Sequence, residues 1–283
     1  MSLKAAVKRV IEAGVAGMDG TRVGRFVYDR VLGTAMRQTR VIEHGDTKLI
    51  FAIPNALNEF RADTFSTKEP ETLDWIDGFP EGSVLWDIGA NVGLYSCYAA
   101  ARQRCRVFAF EPSVFNLETL ARNVVLNDLS HRITIVPLAV SDSLKVSELS
   151  MTSTEMGAAL SSFGEAFGHD GKPLQSVFTY STLGISMTDA SALLGLSEPD
   201  FVKLDVDGIE HLILRGGSSI LGRVKGVLVE LNEEFSEQLQ EATHHLEEAG
   251  LVLVEKRHWE RAIGGPHEHT FNQIWHRVER QRS

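Results

Sequence analysis

The chain has 283 residues, of which 43% are hydrophobic and 23% are charged, and this balance excludes a globally disordered protein. The net charge of −10, from 28 basic and 38 acidic residues, argues against binding of nucleic acid through a broadly basic surface. The two cysteines, Cys97 and Cys105, form no CxxC pair, so neither a disulfide framework nor a structural zinc site is expected. No apolar run is long enough for a signal peptide or a membrane span, so we expect a cytoplasmic protein with neither nucleic acid nor membrane among its partners.

Residues 1–64 predict an N-terminal extension of helices and a hairpin. It contains two predicted helices and then two predicted strands, over residues 3–17, 21–37, 38–44 and 47–53. The Gly45-Asp46 dipeptide between the strands suits a tight hairpin turn. The main domain is expected over residues 65–283, and it opens with a helix predicted over 68–76.

From residue 83 onward, short apolar strands alternate with helices. Strands are predicted over 83–88, 106–110, 133–139, 201–205, 226–231 and 251–256. Helices are predicted over 94–102, 116–126, 218–221 and 236–249. This alternation predicts an α/β domain with a mostly parallel sheet covered on both faces. Residues 143–199, rich in Gly, Ser and Thr clusters, are predicted as an insertion with a hairpin and a short helix.

A glycine-containing loop follows the first strand of this domain. The strand ends in Asp87, and Gly89, Asn91 and Gly93 follow before the next helix. In open α/β sheets, ligands bind at the carboxyl ends of the strands, and glycines let a ligand approach the backbone closely. We therefore predict a cofactor-binding loop over residues 87–93, in which a side chain at Gly89 would collide with the cofactor or strain the turn.

The spacing of this loop favours S-adenosylmethionine over a nicotinamide dinucleotide. A dinucleotide fingerprint requires G-x-G-x-x-G, so that backbone amides cradle a pyrophosphate at the helix N-terminus. Here Asn91 replaces the second glycine and Leu94 the third. S-adenosylmethionine has no phosphate, and Asp87 could hold its amino-acid end.

Two further strand ends predict contacts to the nucleoside part of the cofactor. Glu111 and Pro112 follow the second strand, where a carboxylate can accept both ribose hydroxyls. Ala139 and Asp142 follow the third strand, where Asp142 could accept from the adenine amine or could form an Asx turn.

Over residues 65–275, the sequence resembles the FkbM family of methyltransferases. The resemblance is carried by Lys68-Glu69-Pro70-Glu71-Thr72, the run Trp86 to Gly93, Ala109 to Ser113, Asn123 with Asn127, and Lys203 to Glu210. It implies a Rossmann-like class I methyltransferase, in which a mostly parallel seven-stranded sheet has helices on both faces. It also implies O-methylation of a hydroxyl on a sugar, a polyketide or another secondary metabolite.

Acidic side chains at two later strand ends are candidates for the chemistry. Asp205, Asp207 and Glu210 follow one strand, while Glu230 and Asn232 end the next. A carboxylate can act as the base that removes the proton of an alcohol. Asp205, Glu230 and Asn232 could instead hold Mg²⁺, which would stabilise the alkoxide. Asp205 could also contact the cofactor.

Histidines offer a second class of base. His267 and His269, two apart in a glycine-flanked loop, could be metal ligands or a base, but a plain surface loop is the favoured interpretation. We therefore expect a methyltransferase that acts on a small or carbohydrate-like acceptor. A nicotinamide-dependent oxidoreductase or epimerase, and a binding protein that keeps the fold without turnover, are the alternatives. A homo-oligomer is left open.

Overall fold

The computed structural model describes residues 3–18, 20–258 and 268–278. The helices are α1 (Leu3–Met18), α2 (Arg22–Ala35), α3 (Ala56–Asp63), α4 (Phe65–Lys68), α5 (Pro70–Asp77), α6 (Leu94–Arg102), α7 (Val114–Leu126), α8 (Met187–Leu194), α9 (Glu210–Arg215), α10 (Ser218–Leu221) and α11 (Ser236–Glu248). The strands are β1 (Thr39–His44), β2 (Thr47–Ala52), β3 (Val84–Ile88), β4 (Arg106–Phe110), β5 (Ile133–Val136), β6 (Ala139–Ser141), β7 (Lys145–Met151), β8 (Ser161–Phe163), β9 (Phe178–Ser186), β10 (Phe201–Leu204), β11 (Gly226–Asn232), β12 (Leu251–Arg257) and β13 (Thr270–Arg277).

A seven-stranded sheet organises the fold, with the strand order β12-β13-β11-β10-β3-β4-β5. The five strands from β11 to β5 run parallel, whereas β13 pairs antiparallel with both β11 and β12. The prediction of a Rossmann-like, mostly parallel sheet of seven strands is therefore confirmed. Strand β13 was not predicted, although it inserts between two strands that were.

Two hydrophobic cores cover the two faces of this sheet, because successive side chains of each strand point to opposite faces. Leu85 packs on one face with helices α5 to α7, and the neighbouring Trp86 packs on the other face with α8 to α11. Both side chains are fully buried. The sheet is thus a central layer between two layers of helices, as the alternation of elements predicts.

The predicted hairpin is confirmed, and it belongs to the first of these cores. Leu49 and Phe51 of β2 are buried in the same cluster as Leu85. Two asparagine side chains satisfy the edge of β2. Asn123 of α7 accepts from the amide of Ala52, and Asn127, the C-cap of the same helix, accepts from the amide of Ile50, each at 2.8 Å. The expected boundary near residue 64 therefore lies within one packed unit.

Two predicted elements are divided by proline. The helix predicted over 68–76 is split at Glu69 into α4 and α5, because Pro70 begins the second helix and restricts the residue before it. The strand predicted over 133–139 ends at Val136, because Pro137 donates no backbone hydrogen bond. The chain then enters β6, which belongs to a second sheet.

The insertion builds that second sheet, whose strand order is β6-β9-β7-β8. β7 and β9 pair antiparallel, and α8 follows β9 directly, so the structure has the expected hairpin pairing and short helix. Phe163 and Met187 join the insertion to the core on the α8 to α11 face of the central sheet.

Helices α1 and α2 confirm the first two predicted helices but enter neither core. No residue of α2 is buried. Among the described residues, no helix is both long and apolar enough to cross a bilayer.

Candidate active site

The site lies at the carboxyl edge of the central sheet, where the strand order changes direction. β3 has β4 on one side and β10 on the other, although β10 follows far later in the chain. The loops after these strands diverge and leave a crevice, which is where open α/β sheets bind ligands. The predicted loop 87–93 enters this crevice.

The loop has a left-handed backbone at three positions. Gly89, Asn91 and Gly93 have φ values of +85°, +51° and +79°. A Cβ atom at Gly89 would lie 1.8 Å from the carbonyl oxygen of Asp205, and one at Gly93 would lie 2.2 Å from Leu120 Cδ1. The collisions are with the protein itself. Of the two expected reasons for glycine at position 89, a collision with the cofactor or strain in the turn, the structure shows the second, together with a close approach to the backbone after β10.

Asp87 presents a carboxylate oxygen that has no partner in the protein. Its Oδ2 atom accepts from the hydroxyl of Ser96 at 2.5 Å, whereas its buried Oδ1 atom accepts no hydrogen bond. Burial raises the pKa of Asp87, and the ammonium of Lys203 partly offsets this. Since buried polar atoms are normally satisfied, the free oxygen fits a ligand donor such as an amine.

Glu111 joins the end of β4 to the loop. Its two carboxylate oxygens accept from the backbone amides of Asn91 and Ser113, each at 2.8 Å. Burial raises the pKa of Glu111 to about 7. Each carboxylate oxygen keeps acceptor capacity for a further donor.

The insertion covers this part of the crevice. The carbonyl oxygen of Ala158 accepts from the side-chain amides of Asn91, at 2.9 Å, and Asn116, at 3.1 Å. The amide of Leu160 donates to Asp207 at 2.6 Å. The segment between β7 and β8 therefore contributes a wall of the site.

A buried lysine lies beneath the acidic residues that follow β10. Lys203 is 2% exposed, and its Nζ atom donates to Asp205 at 2.8 Å. It also lies 5.2 Å from the centre of the Tyr95 ring. Burial acts to raise the pKa of Asp205, but Lys203 and Lys68 outweigh it, so this pKa lies below its ordinary value.

Three carboxylates meet in front of this lysine. Oxygens of Asp205, Asp207 and Glu230 all lie within 4.8 Å of one another. Burial and the neighbouring Asp205 raise the pKa values of both Asp207 and Glu230. Like charges this close favour retention of a proton by part of the cluster, with Asp205 as the ionised member.

A second lysine extends the charged network. Lys68 donates to Glu69 at 2.7 Å. Glu69 raises the pKa of Lys68. Burial acts to raise the pKa of Glu69, but Lys68 and Lys203 together outweigh it, so this pKa is lowered. The two ammonium groups supply positive charge where the sequence analysis considered Mg²⁺.

Three cavities meet in the site, and all three are lined by Gly89, Asn91 and Asp205. The nucleoside-side cavity also contains Glu111, Pro112 and Ala139, which were predicted to bind the cofactor. The loop-side cavity lies against Asp87, Tyr95 and Lys203. The acceptor-side cavity, about 240 Å³, holds Asp207 and Glu230 and is also lined by Arg61, Lys68 and Arg257.

Four predicted site residues do not line these cavities, namely Gly93, Asp142, Glu210 and Asn232. Glu210 is buried and accepts from the amides of Val206 and Gly208 and from the side chain of Gln238, so it holds the loop after β10 together. Asn232 accepts from the amide of Glu234 at 2.9 Å, and it does not line the cavity that holds Asp205 and Glu230. Asp142 pairs with Lys145 and Arg215, which lower its pKa against the effect of burial.

His267 lies outside the described residues. Sequence reasoning also missed several charged residues that the structure brings to the site, namely Arg61, Lys68, Glu69, Lys203 and Arg257. One signal was present, because a lysine in the apolar strand Phe201–Leu204 is unusual in a sheet covered on both faces.

Comparisons with known proteins agree with this geometry. The profile of the Methyltransferase FkbM domain matches residues 87–253. The hexuronic acid methyltransferase AglP of Haloferax volcanii is 28% identical over 155 residues, which are 54% of this chain and 57% of that protein. The aligned part of the chain thus spans little more than half the length of this relative.

Two solved structures are examples of a similar fold. The precorrin-6y C5,15-methyltransferase of Geobacter metallireducens has a TM-score of 0.43 and 16% identity, with 74% of this chain and 87% of that chain covered. TYW2 of M. jannaschii, solved in complex with AdoMet, has a TM-score of 0.45 and 11% identity, with 85% and 87% covered.

Proposed function

This chain belongs to the FkbM methyltransferase family, and we propose that it transfers the methyl group of S-adenosylmethionine to a hydroxyl of an acidic, sugar-like acceptor. The observation that most supports this function is the meeting of three cavities at Gly89, Asn91 and Asp205. A transferase needs a donor site and an acceptor site that meet where the group is exchanged.

The residues of two cavities fit the donor. The carboxylate of Glu111 suits the ribose hydroxyls, next to the apolar wall of Leu138 and Val140. In the loop-side cavity, the unpartnered Oδ1 atom of Asp87 suits the amine of the methionine part, and Lys203 suits its carboxylate. The buried side-chain oxygen of Asn91 is also without a protein partner and can accept from the donor.

The chemistry requires a base, because an alcohol is a poor nucleophile until its proton leaves. When bound, S-adenosylmethionine supplies an electrophilic methyl group on a sulfonium that leaves as a neutral thioether. Asp205 accepts the hydroxyl proton, since its lowered pKa keeps it ionised at the point where the cavities meet. Glu230, whose pKa is raised, donates a hydrogen bond that orients the acceptor.

Basic side chains of the acceptor cavity favour an acidic sugar. Arg61, Lys68 and Arg257 line this cavity, and a guanidinium can bind a carboxylate through two parallel hydrogen bonds. Polar acceptors and donors for hydroxyl groups are supplied by Thr270 and Asn272. The relative in Haloferax volcanii is named for a hexuronic acid, which carries such a carboxylate.

The two alternative functions predict different binding. A nicotinamide-dependent enzyme would bind NAD through backbone amides at the start of α6, where Leu94 stands in place of the third glycine. A protein without turnover would bind the donor but form no methylated product. Calorimetric titration with S-adenosylmethionine and with NAD separates the first alternative, and product formation separates the second.

The proposal is tested with the full-length protein, S-adenosylmethionine and a set of sugars that differ only at one carboxylate, such as glucuronic acid and glucose derivatives. We expect mass spectrometry to detect one added methylene on the acidic sugar and little on the neutral one. Arg257→Gln should raise KM for the acidic sugar about tenfold or more, as expected for loss of a charge-assisted pair. Lys256→Gln, next to it on β12 but outside the cavity, is the matched control.

Addition of a chelator tests the role of metal in the same assay. We expect unchanged turnover, because Lys203 and Lys68 supply the positive charge at the carboxylates. Turnover that stops with the chelator and returns with Mg²⁺ would contradict the assignment of Asp205 as a metal-free base. Methylation of neutral and acidic sugars at equal rates would contradict the acidic acceptor.

A further inference from the structure

Helices α1 and α2 present an apolar surface that covers nothing in the described part of the chain. Eleven large apolar side chains on the two helices are between 39% and 73% exposed. They are Val7, Val10, Ile11, Val15, Met18, Val23, Phe26, Val27, Tyr28, Val31 and Leu32. Apolar side chains this numerous and this exposed on two neighbouring helices indicate an interaction site.

Each of the two helices is amphipathic. On α1, Val7, Ile11 and Met18 recur at helical spacing along one side, and Arg9 and Glu12 lie on the other side. On α2, Val23, Val27 and Val31 share one side, and the opposite side carries Arg22, Arg25 and Asp29. The basic and apolar sides are therefore available to a single partner that offers both an apolar layer and negative charge.

The distribution of charge distinguishes this segment from the rest of the molecule. Residues 1–40 contain eight basic and three acidic residues, a net charge of +5, whereas residues 41–283 carry the other −15 of the total of −10. Two copies of the helix pair would meet with like charges and repel each other. An anionic surface would attract the helix pair and repel the acidic remainder, which sets the orientation.

The surface continues beyond the end of α2. An open groove of about 600 Å³ runs between the helix end and α7, with apolar walls that include Ala52, Val125 and Leu126. Arg37 and Arg122 lie at this groove, where Arg122 pairs with Glu118, and the exposed Val125 is its most prominent apolar side chain. The groove repeats the combination of apolar surface and arginine that the two helices have.

We propose that α1, α2 and this groove dock the enzyme on an anionic lipid surface. Helices with a basic polar side and aromatic or aliphatic residues opposite lie in the plane of a membrane, with the apolar side among the acyl chains. Juxtaposed lysines and arginines then bind the anionic headgroups. The sequence analysis predicted no membrane partner because no segment is long and apolar enough to span a bilayer. Docking on the surface of a bilayer does not require a spanning segment.

Vesicle flotation of the full-length protein tests the proposal. The probes are phosphatidylcholine vesicles and vesicles of phosphatidylcholine with phosphatidylglycerol. We expect flotation with the anionic vesicles and at least about tenfold weaker binding to the neutral vesicles, or to the anionic vesicles in high salt. Equal binding to both vesicle types would overturn the proposal.

Variants distinguish binding through the helix surface from non-specific binding through any exposed apolar residue. Phe26→Ser with Val31→Ser should abolish flotation without lowering Tm, since neither side chain is buried. Val146→Ser with Leu183→Ser, two similarly exposed apolar residues on β7 and β9, is the matched control and should float normally. The proposal would be overturned if the wild-type protein failed to float and were a dimer, and if the Phe26 and Val31 variant were a monomer. That result would assign this surface to a second copy of the chain.

Discussion

Substitution of Glu111 by glutamine tests the assignment of the donor site, because it removes one charge and almost preserves the volume of the side chain. In the folded protein, the carboxylate of Glu111 accepts from two backbone amides. We propose that donor hydroxyls supply further hydrogen bonds to the same oxygens. Glutamine offers one oxygen and a group that only donates, so it can reproduce only part of this set.

The magnitude follows from the pKa of about 7, which burial raises from 4.5. The difference corresponds to about 3 kcal/mol of preference for the protonated form in the folded protein. Because the folded pKa lies above the unfolded value, this destabilisation is absent below about pH 4.5 and grows until the pH passes about 7. Donor hydroxyls that bind the ionised carboxylate of Glu111 offset part of this destabilisation.

Donor affinity should therefore depend on pH with a known sign. Affinity rises as the pH rises through about 7, and below that value it falls by up to tenfold per pH unit. The total fall should be about 10- to 100-fold, as expected for loss of hydrogen bonds to a charged acceptor worth about 1.5–3 kcal/mol. Glu111→Gln should bind with the low affinity at every pH.

Calorimetric titration of S-adenosylmethionine between about pH 6 and pH 8 measures this dependence. Glu118→Gln, a half-exposed glutamate on α7 outside the donor cavities, is the matched control and should behave as the wild type. A wild-type affinity that does not change with pH would refute the reasoning. The same conclusion would follow if Glu111→Gln kept the full pH dependence.

Two further substitutions test the charged network and the loop. Lys203→Met should lower the free energy of unfolding by about 3–5 kcal/mol, as expected when a buried ion pair loses one partner. It should also shift the acidic limb of the pH profile of kcat to higher pH, because the pKa of Asp205 rises. An unchanged pH profile would show that Lys203 does not act through Asp205. Gly89→Ala should lower both donor affinity and Tm. Gly82→Ala is the control, because Gly82 also has a positive φ but no atom lies within 4 Å of its added Cβ; it should lower the free energy of unfolding by only about 1 kcal/mol, the cost of the backbone conformation, and should lower Tm less. Equal Tm values for the two variants would contradict the predicted collision at Asp205.

The sequence predicted the fold well wherever one strand or helix carried its own pattern. The apolar run Val84–Ile88 and its loop, and the helix Leu94–Arg102, were predicted to within one residue. Strand β13 was not predicted, because pairing with two neighbouring strands stabilises it rather than an apolar pattern of its own. Asn272 and Gln273 are polar, but both are buried between β11 and β12. A polar side chain in a strand gives no apolar periodicity to detect.

The site was harder to predict than the fold, because its charges come from distant parts of the chain. Asp205, Asp207 and Glu230 were selected as strand-end acids, and the structure brings them together. Glu210 and Asn232 met the same criterion but turn to their own loops, since a strand end fixes the position of a residue and not the direction of its side chain. The partners that set the pKa values could not be assigned from spacing.

The lysines give a physical reason for a metal-free site at these carboxylates. A divalent cation at strand ends would need several oxygen ligands free to converge on it. Here one oxygen of Asp205 already accepts from Lys203, and one of Asp207 accepts from the amide of Leu160. The Lys203 ammonium is held by a strand buried on both faces, so it keeps Asp205, the proposed base, ionised in a fixed place. The charge that methyl transfer requires at this edge of the sheet can thus come from the chain itself, through Lys203 below the carboxylates and Lys68 beside them.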